Sequence, residues 1–445
     1  MTMKLMISAM KYFILAILLI LVPASAAGQS RSVETEVDRY LAPYIQMKDF
    51  SGTILIAQNG KVLVRKGYGM ANYELVTPNG PQTKFHIASL TKTFTATAIV
   101  LLEKEGLLSF DDPLSKFLPD FPNSDKIKIS QLLTHSSGVP DFYALPEYEE
   151  LKTKLLAISD WIGLLKTKPL DFEPGKQSAY SNSGYALLAL VIEKVSGKSY
   201  EDFLRERILK PLKMSNTGTW DDGALIVNRA SGYDPWLDNL INTPFYDKSV
   251  LFGSGSLYST VDDLYTWYKA IHDGSLFRMD SITVPYGWGP RKRFKRELIE
   301  QGGNDPGFVS NLSAYLKDDV CIIVVGNVRT GAIDKIKDDL GAIVFKEKYE
   351  APVIRKTVEV DPKLFLDYIG QYQVSPKLIM TVKTDGHNLY LKGTGGYFLP
   401  LEPLSETKYF YRQFYVPIVF DRDKKDGKVN QLLWEGQYPF KKIGN

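Results

Sequence analysis

Ser89 and Lys92 stand three residues apart in the stretch HIASLTKTFTATAIVLLEKEG, which covers residues 86–106. A serine hydroxyl becomes a strong nucleophile when a base removes its proton, and a lysine shielded from water can be that base. The same Ser-x-x-Lys spacing also occurs at Ser8/Lys11 and at Ser405/Lys408. The spacing alone therefore identifies no site, and a serine cap beside a solvated lysine is the alternative interpretation.

The chain segment around each pair separates the three copies. Residues 91–105, TKTFTATAIVLLEKE, are apolar or small nearly all round, which is typical of a helix buried inside a domain. Residues three apart share a helix face, so Lys92 can reach the Ser89 hydroxyl, and the helix N-terminus favours a developing oxyanion. The first copy lies in a segment that we expect to be removed, and the last reads as a loop entering the aromatic strand YFYRQFYV.

Tyr180-Ser181-Asn182 is the only Tyr-x-Asn among the 26 tyrosines. It precedes the run GYALLALVIEKVSG, which is typical of a helix that ends at Gly197. A loop tyrosine there can relay protons to a leaving group, and Asn182 can hold a substrate carbonyl. The alternative is that Ser181, Asn182 or Ser183 only caps the helix.

A third candidate element is EQGGNDPGF, residues 300–308, which we place between a polar strand and the strand run LSAYLKDDVCIIVVGN. Its small residues would let a substrate lie along a strand edge. The basic run RKRFKR, residues 291–296, precedes it. Such a run is usually a solvated strand face, and the alternative is that it supplies charge for substrate binding.

The elements that must position these residues predict two folded units. Asn59-Gly60 between two apolar runs predicts a type I′ hairpin, helical patterns dominate about 91–209, and strand signals return from about Tyr286. This order indicates an α+β domain whose antiparallel sheet, closed by distant segments, is flanked by helices and a helical subdomain. From about residue 351, short strands separated by glycine turns predict a small all-β, barrel-like domain.

The N-terminus and the composition restrict the cellular setting. Lysines 4 and 11, an apolar run over residues 12–22 and small residues up to 27 predict a secretory signal peptide over residues 1–27. The alternative is an uncleaved membrane anchor, for which the apolar run is shorter than the roughly 20 residues that a span needs. Cys321, the only cysteine, lies in an apolar run that reads as a buried strand, so no lipid-anchoring cysteine follows the signal. A formal charge of +3 argues against nucleic acid as a partner, and four histidines without a His-x-x-x-His pair argue against zinc.

In the order Ser-x-x-Lys, Tyr-x-Asn and strand with x-Gly-Gly, the chain resembles the serine β-lactamase and penicillin-recognising family in its class C-like branch. That branch includes D,D-peptidases, D-amino-acid amidases and esterases. The segments FSGTILIAQNGKVLVRKGYGMAN, QLLTHSSGVPDF and GGNDPGF are also similar to its framework, and the resemblance covers about residues 33–350. The trailing region resembles the small β-rich domain often appended to these hydrolases.

The resemblance implies a role for each candidate. Ser89 would be the acylated nucleophile, Lys92 its base partner and Tyr180 a second acid/base. Asn182 would contact the substrate, and the amides of Ser89 and Asn304 would form the oxyanion hole.

The chain departs from the family pattern at Gln301-Gly302-Gly303. The family usually has lysine or histidine first, then threonine, serine or glycine, then glycine. Gln301 is neutral and Gly302 has no hydroxyl, so two groups that would bind a substrate carboxylate are missing. We still place Gln301, Gly302 and Gly303 in the substrate site, and we expect β-lactam turnover to be weak or absent.

These observations predict an exported, periplasmic or secreted serine hydrolase with a hydrolase domain at 33–350 and a β-rich domain at 351–445. It would act without a cofactor or metal on small esters, amides or D-amino-acid peptides, with peptidoglycan fragments as a further substrate class. No membrane anchor would remain after signal cleavage. The rival hypothesis is a non-catalytic relative that keeps the fold to bind peptidoglycan or peptides.

Overall fold

The computed structural model describes residues 32–221, 223–276, 286–375, 378–393, 398–423 and 425–444. The predicted signal peptide and most of the predicted glycine turn at 393–396 lie outside the described residues. The strands are β1 Gly52–Gln58, β2 Lys61–Tyr68, β3 Met70–Asn72, β4 Thr77–Pro78, β5 Phe85–His86, β6 Gly218–Thr219, β7 Tyr233–Trp236, β8 Asn239–Asn242, β9 Leu257–Ser259, β10 Gly289–Arg293, β11 Arg296–Asp305, β12 Phe308–Tyr315, β13 Val320–Gly326, β14 Gly370–Ser375, β15 Leu378–Thr384, β16 Leu389–Lys392, β17 Leu399–Pro400, β18 Glu402–Pro403, β19 Lys408–Tyr411, β20 Val416–Arg422, β21 Val429–Trp434 and β22 Tyr438–Gly444.

The α-helices are α1 Val33–Gln46, α2 Thr91–Lys104, α3 Ile129–Leu133, α4 Tyr148–Leu151, α5 Ile158–Leu165, α6 Asn182–Ser196, α7 Tyr200–Leu204, α8 Val261–His272, α9 Ala332–Phe345 and α10 Phe365–Tyr368. Short 3₁₀ turns cover Ala88–Leu90, Leu114–Lys116, Phe142–Ala144, Lys248–Leu251, Leu316–Asp318 and Pro362–Leu364, and a π turn covers Arg205–Leu209.

Six antiparallel strands form the central sheet in the order β10-β11-β12-β13-β1-β2. Strand β1 pairs with β13 from Gly52 opposite Gly326 to Gln58 opposite Val320. Two segments that are far apart in the chain therefore close one sheet, as the sequence predicts. The α+β class is confirmed.

Helices cover both faces of this sheet. Side chains of a strand alternate between faces, and Ile54 and Ile56 join a core with residues of α1 and α9. Leu55 and Ala57 join the larger core, which contains residues of α2, α6 and α8. Cys321 belongs to that core and is fully buried, as predicted.

Local signals predicted several turns correctly. Asn59 and Gly60 connect β1 to β2 with φ of 50° and 70°, which is the backbone of a type I′ hairpin. Helix α6 ends at Gly197, whose φ of 68° is left-handed. The Ser405/Lys408 pair is a loop entering β19, in which the Ser405 hydroxyl accepts from the Lys408 amide at 3.0 Å.

Two predictions about residues 291–308 need correction. The run 291–296 is a hairpin rather than one strand face, because Phe294 and Lys295 form a tight turn with φ of 52° and 59°. The segment 300–308 lies largely inside β11 rather than between strands. Its backbone pairs with β12 up to Asp305 opposite Phe308, so the polar residues of this segment belong to a paired strand.

Nine strands between Gly370 and Gly444 form the second sheet, in the order β17-β16-β15-β14-β22-β21-β20-β19-β18. Its two edge strands, β17 and β18, are separated in the chain by Leu401 alone. One extended segment therefore pairs with β16 at one edge and β19 at the other, which nearly closes a barrel. The predicted barrel-like, all-β arrangement is confirmed.

Candidate active site

Ser89 lies in the 3₁₀ turn Ala88–Leu90, which leads directly into α2. Ala88 has φ of 45°, a left-handed value that costs free energy for a residue with a Cβ atom. The chain therefore turns sharply just before the serine. The helix that follows is buried over nearly its whole length, as its apolar pattern predicts.

Lys92 lies one turn further along and is 1% exposed. Its Nζ donates to Ser89 Oγ at 3.2 Å, to Asn182 Oδ1 at 2.7 Å and to the Ser254 carbonyl oxygen at 2.7 Å. Burial disfavours the charged amine and lowers the pKa of Lys92 to about 7, against a smaller opposing effect of nearby carboxylates. The structure thus excludes the solvated lysine of the alternative interpretation, and the amine can exchange a proton near neutral pH.

Tyr180 contacts the same serine from the other side. Its hydroxyl donates a 2.7 Å hydrogen bond to Ser89 Oγ, and its ring lies 4.8 Å from Lys92 Nζ. The residue is 49% exposed, and its hydroxyl is directed at Ser89. Burial of that hydroxyl raises the pKa of Tyr180 above its ordinary value, so the phenol is protonated at neutral pH.

His135 holds the loop that carries Tyr180. Its ring packs against Tyr180 with centroids 4.6 Å apart, and its Nδ1 accepts from the Ser181 amide at 3.2 Å. Burial, aided by the charge of Lys92, lowers the pKa of His135 to about 4. The ring is therefore neutral at neutral pH, which keeps Nδ1 an acceptor.

Asn182 begins α6 and links Lys92 to a carboxylate. Its backbone amide and Nδ2 both donate to Asp141, at 3.1 and 3.2 Å, while its Oδ1 receives the Lys92 amine. The capping interpretation also holds, because the Ser181 hydroxyl accepts from the Gly184 amide. Capping sets where the helix starts, and Asn182 then faces the site from its first turn.

Gln301, Gly302 and Gly303 lie on β11 beside the serine. Gln301 Nε2 lies 3.4 Å from the Ser89 carbonyl oxygen and donates to the Gly302 oxygen at 2.9 Å. A methyl group on Gly303 would lie 2.3 Å from the Ile87 oxygen and 2.9 Å from the Ser89 amide nitrogen. Glycine at 303 is therefore required by the close approach of the strand to the serine turn. The Asn304 Oδ1 accepts from Arg329 Nε at 2.9 Å.

Two cavities meet at Tyr180. One, of about 450 Å³, is bordered by Ser89, Asn182 and Asn304, and its further walls are Tyr143, Tyr148, Phe245, Tyr246, Asp141, Asp305 and Arg329. The other, of about 550 Å³, is bordered by Lys92, Gln301 and Gly302, with Trp288, Arg291 and Lys337 further out. All eight residues selected from the sequence thus lie in or beside one site.

Arg291 is the member of the basic run that borders the second cavity. It faces Glu300 at 3.5 Å, and Lys337 Nζ bonds the same carboxylate at 2.9 Å. Arg293 and Arg296 pair instead with Asp338 and Asp318. The run therefore brings one cation to the site, and a glutamate balances part of its charge.

Several groups of this site had no usable signal in the sequence. The Ser254 carbonyl is a backbone atom, and Arg329 is distant in the chain from every motif. Asp141 and His135 lie in the segment LLTHSSGVPDF, where only the framework similarity marked them. Asp141 accepts from Asn182 and His135 packs against Tyr180, so both support residues of the site.

The arrangement suits acyl transfer. A serine hydroxyl bonded to a buried amine and to a protonated phenol has one partner that can take its proton and another that can donate one. In the described ranges, no group of three or more His, Cys, Asp and Glu side chains is placed to hold a metal ion. Within those ranges, no helix combines the length and apolar character that crossing a membrane requires.

Comparisons with known proteins agree with this geometry. The family profile described as Beta-lactamase matches residues 37–343. Penicillin-binding protein 4* of Bacillus subtilis is 29% identical over 422 residues, which cover 87% of this chain and 93% of that protein. Teichoic acid D-alanine hydrolase of Staphylococcus aureus is 32% identical over 245 residues, 54% of this chain and 59% of that protein. The solved structure of the octameric penicillin-binding protein homologue from Pyrococcus abyssi superposes with a TM-score of 0.62 at 26% identity, covering 91% of this chain and 99% of that one.

Proposed function

Because the chain belongs to the beta-lactamase family of serine hydrolases, we propose that it cleaves small ester and amide substrates through an acyl-enzyme on Ser89. The observation that carries the proposal is the pair of contacts on Ser89 Oγ, from the Lys92 amine at 3.2 Å and the Tyr180 hydroxyl at 2.7 Å. Lys92 can accept the proton that the serine loses, and Tyr180 can donate a proton to the leaving group.

In the proposed reaction, neutral Lys92 takes the proton of Ser89 as the serine oxygen attacks the substrate carbonyl carbon. The amides of Ser89 and Asn304 stabilise the oxyanion that forms. Tyr180 gives its proton to the leaving oxygen or nitrogen as the bond to the acyl carbon breaks, and regains a proton from Lys92. Water then attacks the acyl carbon and gives a proton to Lys92, the bond from that carbon to Ser89 Oγ breaks, and Ser89 takes a proton back from the same pair of groups as the acid leaves.

The substrate preference rests on the two cavities. The neutral Gln301 and the missing hydroxyl at Gly302 disfavour a leaving group that carries a carboxylate. On the other side, Asp305 is 3% exposed, accepts from the Tyr246 hydroxyl and lies in a cavity walled by tyrosines. Carboxylates and aromatic faces both attract cations. We therefore favour aminoacyl esters such as D-alanyl esters, in line with the name of the staphylococcal relative.

The rival proposal is a binding protein without turnover. It requires only the cavities, and it leaves the depressed pKa of Lys92 and the hydrogen bond from Tyr180 without a use. Export to the periplasm or the medium is part of our proposal because of the predicted signal peptide. That setting would also give access to peptidoglycan fragments, a second candidate substrate class.

Labelling with a fluorophosphonate probe, followed by mass spectrometry, tests the acyl-enzyme directly. We expect label on Ser89 and none in Ser89→Ala. Ser405→Ala is the matched control, since Ser405 has the same Lys spacing but lies in the loop that enters β19, and it should label normally. Label on a different serine, or no label on folded protein, contradicts the proposal.

The aminoacyl preference has its own measurement. We expect Asp305→Asn to lower kcat/KM for a D-alanyl ester more than for the acetyl ester of the same alcohol, because only the first substrate carries an ammonium group. Equal losses for the two esters would assign Asp305 to structure and leave the acyl-enzyme proposal intact.

A further inference from the structure

The second sheet contacts the first domain at a buried group of four charged side chains. Asp49 is 1% exposed and receives Arg355 Nη1 at 2.7 Å and Arg412 Nε at 2.8 Å. Glu402 receives Arg355 Nε at 3.0 Å and lies 3.5 Å from Arg412. The two arginines and Glu402 come from the C-terminal part of the chain, and Asp49 comes from the loop before β1.

Arg412 makes the most contacts in this group. Besides Asp49, its guanidinium donates to the carbonyl oxygens of Met47 at 3.0 Å, Lys48 at 2.7 Å and Leu237 at 2.6 Å. These four hydrogen bonds, of the five that a guanidinium can donate, fix the position of Arg412 against the first domain. Removal of one partner from a buried charged group of this kind costs free energy. The group therefore holds the turn 412–415 in place.

This turn also holds the segment that follows β13. The Arg412 carbonyl oxygen accepts from the Gly331 amide at 3.1 Å. A methyl group on Gly331 would lie 2.5 Å from the Phe414 carbonyl carbon and 2.7 Å from its oxygen. The Thr330 hydroxyl donates to the backbone carbonyl oxygen of Asp49 at 2.6 Å, so the backbone of a residue in the charged group also bonds this segment.

The segment 329–331 leads into the candidate active site. Arg329 borders the cavity that contains Ser89, and its Nε donates to Asn304 Oδ1 at 2.9 Å. Asn304 follows Gly303, the residue that packs within van der Waals distance of the serine turn. A continuous set of contacts thus runs from the second sheet to a proposed oxyanion donor.

We propose that the C-terminal sheet is a working part of the acyl-transfer site: its turn 412–415 positions Arg329, which holds Asn304 in the oxyanion hole. This inference rests on the proposed function, because it takes the Asn304 amide as an oxyanion donor. Arg412 and Gly331 are positioning residues, since neither borders the cavity.

Gly331→Ala is the sharpest test. Gly331 has φ of −72°, which alanine adopts without strain, so the added methyl acts only by displacing the Phe414 backbone. Loss of one oxyanion donor costs about 10²- to 10³-fold in kcat, and we expect a displaced donor to lower the rate of fluorophosphonate acylation about tenfold. Arg412→Lys, which keeps the charge beside Asp49 but loses most of the carbonyl contacts, gives a second measurement at the same junction.

A double-mutant cycle separates positioning from general damage. Arg329→Ala should lower the acylation rate by a similar factor, and the double variant with Gly331→Ala should be no slower than the slower single variant, because both act through one contact. Gly163→Ala and Arg422→Gln are controls. Gly163 has no atoms near its added methyl, and Arg422 pairs within the C-terminal region with Asp367, so both should acylate normally.

Each result decides between named alternatives. Unchanged acylation in Gly331→Ala and Arg412→Lys, with Ser89→Ala inactive, overturns this inference and leaves the proposed function standing. Additive losses in the double variant also overturn it. No acylation of Ser89 in the wild-type protein overturns the proposed function and this inference together.

Discussion

The Lys92 amine lies 3.2 Å from Ser89 Oγ, the longest of its three hydrogen bonds, while the other two, to Asn182 and to the Ser254 carbonyl, are both 2.7 Å. An ammonium group has three protons, and all three have acceptors here. Loss of one proton leaves the two shorter bonds in place and turns the nitrogen lone pair toward the serine. The amine is therefore held ready to act as a base.

The pH dependence of the reaction should report the titration of Lys92. Its pKa of about 7 lies below its ordinary value, so the neutral, basic form predominates above pH 7 and is lost as pH falls. We expect kcat/KM for an uncharged ester to fall about tenfold per pH unit below pH 7 and to level off above about pH 8. His135 and Tyr180 do not change charge in this range, since the pKa of the first is about 4 and that of the second is raised. A profile that stays flat between pH 5.5 and 8 would exclude Lys92 as the base.

Tyr180→Phe should lower kcat by on the order of 10²-fold or more, the usual size of a general acid contribution. The ring and its packing on His135 are kept, so the melting temperature should change little. Tyr265→Phe is the matched control, because Tyr265 lies on α8 beside Lys269 and away from both cavities. Near-normal turnover of several substrates by folded Tyr180→Phe would remove the tyrosine from the mechanism.

His135→Phe tests how the Tyr180 loop is held. The substitution keeps an aromatic ring against Tyr180 and removes the acceptor of the Ser181 amide, so the free energy of unfolding should fall by about 1–3 kcal/mol. The folded-state pKa of His135 is depressed from 6.5 to about 4, so this contribution is complete above about pH 6.5 and is lost as pH falls toward 4. Urea unfolding of both proteins at pH 7 and pH 4 measures it. A stability difference that is equal at the two pH values would contradict the assignment.

Gln301 should make esters better substrates than a cephalosporin. We expect kcat/KM for short p-nitrophenyl esters to exceed that for a chromogenic cephalosporin, whose carboxylate finds no cation or hydroxyl at 301 and 302. Gln301→Lys with Gly302→Thr should narrow the gap, since a charged hydrogen bond contributes about 1.5–3 kcal/mol and each 1.4 kcal/mol is about tenfold. A side chain at 302 fits, because its Cβ would lie 3.4 Å from its closest neighbour, the Ser310 oxygen.

Gln301→Glu is the control for this comparison and should widen the gap. Arg291 and Lys337 border the same cavity and are the competing source of positive charge. Efficient cephalosporin turnover by the wild-type protein would show that these cations replace the missing pair, and our preference for esters would then be wrong.

The parts of this molecule that depend on neighbours in the chain could be predicted from the sequence. The Asn59-Gly60 turn, the end of α6 at Gly197 and the buried strand around Cys321 follow from turn chemistry and hydrophobic pattern. The prediction that the basic run 291–296 forms one strand face was wrong. Its hairpin turn uses Phe294 and Lys295, which carry no turn signal and adopt left-handed φ only because pairing of β10 with β11 requires it.

The residues that can do chemistry are recognisable from the sequence: a serine and a lysine on one helix face, a tyrosine and an asparagine before a second helix, and a strand of small residues. Their order along the chain resembles that of the serine β-lactamase family, and this resemblance implies acyl transfer. The electrostatics of these residues and the contacts that hold them depend on how the chain packs. The pKa of Lys92 is lowered by burial, against the opposing charges of Asp141 and Asp305, and Asn304 is held by Arg329 through contacts that reach the second sheet. These effects arise between segments that are far apart in the chain. The exclusion of water from Lys92 and the short distances between these groups are established only when those segments have packed together.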